Sequence, residues 1–214
     1  MSYREILNYA CDPAVREQAR VYFENYWLDQ DEYFDKWVNI QNSIFDRRAS
    51  HLPDMMFNDG YELFPLVGGN IFISEQDLKC LQYCMRQTGD SNFVVIQNAN
   101  LVIKETAVTR FKYKSDVSWQ ELFSGGILGS EHLQTVDKDY FVFGESGTWG
   151  RYVANSWIVP GRSIGNPINI MGFKGEFADL FRNKFEEVRL SEPEITPEIL
   201  LAEWLPEGYR ERVN

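Results

Sequence analysis

Apolar residues in this chain recur at helical spacing before Gly89, run together or alternate between Phe93 and Met171, and return to helical spacing after Phe173. Repeats of three and four bury one face of a helix, whereas contiguous or alternating apolar residues suit a strand. Grouping the two textures in blocks points to an α+β fold: an N-terminal helical hairpin, a central, mainly antiparallel sheet and C-terminal helices. With 44% apolar side chains over 214 residues, the chain can bury a sizeable core.

The first long helix opens at Asp12-Pro13, where the carboxylate can cap free amides and proline lacks the donor that would go unbonded. Val15, Ala19, Tyr22, Phe23 and Tyr26 make its apolar face. Asp29 to Glu32 interrupts the pattern, and a second helix follows with Phe34, Trp37, Val38, Gln41, Ile44 and Phe45. Residues 46–70 hold Pro53, Asn58-Asp59-Gly60, Pro65 and Gly68-Gly69, and read as turns. The expected organisation is one domain over 1–214, with a helical extension at 1–50 and an α+β core at 68–214. Ser74 and Ser118 each precede an acid three residues on and should cap helices. Strands are expected at Phe93 to Ile96, Leu101 to Ile103, Ala107 to Tyr113, Tyr140 to Phe143, Tyr152 to Ala154 and Ile168 to Met171. Phe173 to Val188 and a segment opening at Thr196-Pro197 should be helical.

Thirty-two acids against 21 bases leave a net charge of -11, which repels phosphate backbones and anionic lipid, so neither nucleic acid nor membrane is an expected partner. The three cysteines, Cys11, Cys80 and Cys84, show no disulfide-framework spacing, and the N-terminus has no signal-peptide pattern. A cytoplasmic protein is expected.

Chemistry has few residues to stand on. His51 and His132 are the two histidines, each in a polar segment. Cys80 and Cys84 share a helix face but lack a second ligand pair, so packed core thiols are expected and no metal. Gly144-Glu145-Ser146-Gly147-Thr148 misses the last glycine of a nucleophile elbow and reads as a hairpin turn. Gly68-Gly69 and Gly125-Gly126 lack the ending of a phosphate loop. No cofactor and no enzymatic activity are expected. The alternatives are a small hydrolase-type enzyme using carboxylates, His51 or His132, and an adaptor or structural protein, phage-encoded or self-associating.

Acid placement says more. Asp29, Asp31, Glu32 and Asp35 stand beside Trp27, Tyr33 and Phe34. Between Glu186 and Glu207 seven acids, Glu186, Glu187, Glu192 and Glu194 among them, face Arg189 alone. Carboxylates beside aromatics suit capture of a basic protein, charge speeding encounter and rings supplying anchor area. These eight acids are the candidate partner-binding residues.

Tyr140 to Asn155, then Pro160 and Ile168 to Lys174, together with Leu52-Pro53-Asp54 ahead of Asn58-Asp59-Gly60, resemble the SUKH superfamily of bacterial immunity proteins. In that superfamily the elements stand further apart and the domain is shorter. The resemblance implies a non-enzymatic cytosolic inhibitor that binds and neutralises a cognate toxin, a basic one given the charge of this chain.

Overall fold

The computed structural model describes residues 3–8, 10, 12–68, 70–98, 108–126, 138–157, 168–189 and 197–213. Helices α1 (Tyr3–Leu7) and α2 (Pro13–Tyr26) lead, and Asp12 caps α2 as expected, its Oδ1 accepting from the Ala14 amide at 2.7 Å. Then α3 (Gln30–Glu32), a π-helical turn (Tyr33–Trp37) and α4 (Val38–Ile44) run on without a break. Strand β1 (Tyr61–Val67) precedes α5 (Glu75–Thr88), which Ser74 caps and Gly89 ends at φ +77°. Strands β2 (Asn92–Gln97) and β3 (Arg110–Lys114) precede α6 (Trp119–Leu122), where Ser118 and Glu121 form the reciprocal cap. Strands β4 (Tyr140–Gly144), β5 (Trp149–Ala154) and β6 (Ile168–Lys174) follow. Helices α7 (Ala178–Phe185), α8 (Pro197–Ile199) and α9 (Glu207–Arg210) close the chain.

The α+β expectation holds. The six strands form one sheet in the order β1-β6-β5-β4-β2-β3, every neighbouring pair antiparallel. Successive side chains on a strand face opposite ways. Here both faces are apolar: Phe93, Val95, Tyr140, Val142 and Trp149 point into one cluster, while Val94, Ile96, Phe141, Phe143 and Tyr152 point into another. The first cluster is closed by α2, α5 and α7 through Tyr22, Phe23, Leu81, Phe181 and Phe185. The second is closed by Trp37, Ile44, Phe57, Trp204 and Tyr209. Helices therefore sandwich the sheet.

That arrangement changes the reading of the N-terminus. The two helices read as a hairpin put their buried residues into opposite layers, Ala19, Tyr22 and Phe23 in one and Trp37 and Ile44 in the other. The joint at Trp27-Leu28 wraps the sheet edge, with the Leu28 amide donating to the Arg110 carbonyl at 3.0 Å and Trp27 bridging Phe111. Strand β1 falls inside the stretch read as turns. Pro65 is tolerated because β1 is an edge strand. The amides of Leu63 and Val67 point outward, donating to the carbonyls of Arg212 and Arg189, so the donor that Pro65 lacks belongs to that outer row. Strand β6 runs on to Lys174, past the helix start expected at Phe173. The strand expected at Leu101 to Ile103 lies outside the described residues.

Buried polar groups are held firmly. Arg151 and Asp77, both fully buried, meet in a two-pronged ion pair at 2.6 and 2.7 Å, and Arg151 Nη1 also donates to the Ile71 carbonyl. Asp90 accepts from the Ser146 amide and hydroxyl, the Trp149 indole and Thr88, which ties the β4–β5 turn to the end of α5. Asp139, also fully buried, accepts from the Tyr152 hydroxyl at 2.5 Å and from the Ser156 amide and hydroxyl.

Candidate functional site

The helical stretch 30–44 carries most of the first acid cluster, and its middle turn is wound as a π-helix, with the Val38 amide donating to the Tyr33 carbonyl. Such turns are common at functional positions. Within this one Phe34 is 53% exposed, one of two large apolar side chains among the described residues that face solvent. The Tyr33 ring braces it, edge to face at 5.2 Å between centroids.

The acids around Phe34 are of two kinds. Glu32 is committed internally: its oxygens take the Lys112 ammonium at 2.7 and 2.8 Å, and Oε1 also accepts from the Trp37 indole. Burial alone would raise its pKa, but these donors and the Lys36 charge outweigh burial and hold the carboxyl below the usual 4.5. Asp29, Asp31 and Asp35 are exposed and form no ion pair among the described residues. Lys36, the base on this face, is bound to Glu145 at 2.5 Å and lies 4.8 Å above the Trp37 ring. The free acids of this stretch are thus Asp29, Asp31 and Asp35, exposed within six residues of the exposed Phe34, and Glu32 is withdrawn from them.

The second acid cluster is less defined. Glu186 is exposed and 3.7 Å from Arg189 Nη1, a pair at the edge of electrostatic contact. The side chain of Glu187, and all of Glu192 and Glu194, lie outside the described residues.

Behind Phe34 the same helix walls a cleft of about 430 Å³, whose floor is the ends of β2, β3 and β4. Tyr33 and Phe34 stand on one side, Phe45 and Phe141 below, and Arg110 of β3 reaches in. Arg110 is 9% exposed and lies 5.3 Å from the centre of the Tyr33 ring. Its Nε has no hydrogen-bond partner, and the side chain makes no ion pair among the described residues. Burial presses its pKa below the usual 12.5, although Tyr33 works against that. The Tyr33 hydroxyl donates to Gln41 Oε1 at 2.8 Å, and the Thr109 amide to Gln97 Oε1 at 3.2 Å. Of the four amide side chains that line the cleft, Gln41 and Gln97 thus have their acceptor oxygens engaged internally, whereas Asn98 spends its N–H on the Ser50 carbonyl at 2.6 Å. Sequence reasoning did not single out Arg110. The alternation of Arg110 and Lys112 against Phe111 and Tyr113 placed it away from one core, and only the second helical layer makes that other face an interior.

The residues considered for catalysis are elsewhere. His51 is exposed, its Nδ1 2.8 Å from the Ser50 hydroxyl. The Ser146 hydroxyl is 3.0 Å from Asp90 Oδ2 and 2.8 Å from the Thr148 hydroxyl, inside a hairpin turn with Gly147 at φ +63°. Cys80 and Cys84 are buried in the core, and burial pushes the Cys84 thiol up to about 12, leaving it inert. His132 and Cys11 lie outside the described residues. No group of histidine, cysteine and carboxylate ligands able to hold a metal occurs among the described residues, and no helix there is long and apolar enough to cross a membrane. Compared with protein-family models, curated proteins and solved structures, the chain matches none.

Proposed function

We propose that this chain is a non-enzymatic binding protein of the immunity or inhibitor kind, which seats a basic protein on the turn Tyr33–Trp37 and neutralises it. The observation that carries this reading is Phe34, an apolar ring held half out of the protein among Asp29, Asp31 and Asp35, none of which is paired among the described residues. An exposed aromatic with exposed acids on the same helical stretch has the composition of an interface hot spot: the ring fills a pocket and the carboxylates draw in lysine and arginine. It is also what the resemblance to SUKH immunity proteins implies.

The test is capture followed by neutralisation. A basic protein retained by the wild-type chain from lysate of its source is purified and its growth inhibition measured in cells expressing wild-type or variant chain. Phe34→Ala should weaken the purified complex by roughly 30-fold, the scale of a hot-spot truncation. Reversing Asp29, Asp31 and Asp35 to lysine should slow association by about ten-fold or more at low salt. Full affinity and protection in both variants would remove this surface as the binding site.

A further inference from the structure

The cleft behind Phe34 is a site of its own, with a chemistry opposite to that of the surface in front of it. Arg110 has nine-tenths of its surface covered, yet the guanidinium has no carboxylate beside it among the described residues. In a chain with 32 acids this is a notable arrangement, because a buried charge without a counter-ion destabilises the fold unless something supplies one. Asp46, the one carboxylate among the residues lining the cleft, is paired with Arg48 at 2.7 Å. That contact, two-pronged at the guanidinium, holds the Asp46 carboxyl down to about 2.

Gln41, Gln97 and Arg47 in the lining have the same polarity. With the oxygens of Gln41 and Gln97 occupied by Tyr33 and Thr109, these side chains offer the cleft their amide N–H groups. Arg47, exposed at the lining, adds a second guanidinium with no ion pair among the described residues. The cleft therefore presents the donors and positive charge of Arg110, Arg47 and the two glutamines, beside the amides of Asn42 and Asn98, on its polar side, and the rings of Tyr33, Phe45 and Phe141 on its apolar side. Such a lining fits a ligand that only accepts hydrogen bonds at one end and is flat and apolar at the other. A volume near 430 Å³ holds a small molecule of that kind, not a folded segment.

We propose that this cleft binds a small organic anion, a carboxylate or phosphate monoester on a planar apolar group, with Arg110 as its counter-ion. The anion head sits against Arg110 and the two glutamine amides, and the planar part lies among the aromatic rings. The inference does not depend on capture of a protein partner.

Benzoate and phenyl phosphate serve as probes, with benzamide as the neutral control, and binding is read by titration calorimetry and by the Arg110 Nε–H signal in NMR spectra. The expected result is saturable binding of at least one anion in the millimolar range or tighter, with a shift of the Arg110 signal. The benzoate and phenyl phosphate arms tell a carboxylate site from a phosphate site. Benzamide, and either anion with Arg110→Met, should bind about ten- to a hundred-fold more weakly. Without ligand, Arg110→Met should melt no lower than the wild type, because it removes an unpaired buried charge. Arg110→Lys should keep part of the affinity, since it keeps charge but loses the planar fork. Three results would each overturn the proposal: no anion binding at about 10 mM, equal affinity for benzamide, or Arg110→Met melting well below the wild type, which would make Arg110 a structural residue.

Discussion

Asp77 and Arg151 are the pair of side chains whose identity the core tolerates least. Each is fully buried and each neutralises the other, and Arg151 also lies 5.7 and 5.6 Å from the centres of the Phe72 and Phe185 rings. Removing one charge strands the other in a medium that solvates it badly. Asp77→Asn should therefore cost about 3–5 kcal/mol of stability in denaturant unfolding, and replacing both residues with apolar ones should cost less than Asp77→Asn alone. A loss under about 1 kcal/mol would show the pair to be dispensable. Glu32 behaves differently because it is partly exposed. Its folded pKa lies below the usual 4.5, so its contribution to stability is complete above that value and fades as the pH falls through the folded pKa. Thermal melts across that window should show Glu32→Gln losing less on acidification than the wild type. Equal acid sensitivity would mean that the Glu32–Lys112 link adds nothing.

Among the elements, the sheet shows how close packing selects residues. Gly172 of β6 faces the Phe57 ring, and a Cβ placed there would lie 2.5 Å from two ring carbons. Gly172→Ala must displace that ring from a core with no free room, and should cost roughly 1–3 kcal/mol in chemical denaturation. An unchanged midpoint would mean that the ring moves freely. The helix starts at Asp12, Ser74 and Ser118 were legible because a cap is a local device of side chain and nearby amide. So was the β4–β5 hairpin, where apolar runs flank glycines. Strand β1 was not, since Pro65 reads as a break and only its place at an edge, with its N–H side turned outward, allows it. The pairing of the N-terminal helices was misread for a related reason. An amphipathic period tells that one face is buried, but not against which layer.

The whole molecule carries a surplus of negative charge that must repel itself. Adding sodium chloride from low ionic strength to about 0.3 M should therefore raise the melting temperature, as screening acts over a Debye length of several ångström. A steady fall with salt would mean that surface ion pairs such as Arg20–Glu24 and Lys79–Glu75 matter more than the net charge. The acidic surface was legible at this scale, since charge counts and clusters are read directly from the residues. The cleft was not. It forms where the ends of three strands from the middle of the sequence meet the helical stretch 30–44, and Arg110 becomes interior only once that helix is in place.

The strand order has a consequence for how the protein is made. Tyr61 pairs with Lys174 and Val67 with Ile168, so of the described strands the first to leave the ribosome is joined to the last. Until β6 emerges, β1 has no neighbour on its inner side, and its apolar side chains must wait exposed or be shielded by helpers. Docking of β1 onto the sheet is thus a late event, although β2 to β5 can pair before it, and chains cut short before β6 should be cleaved by proteases faster than the full chain.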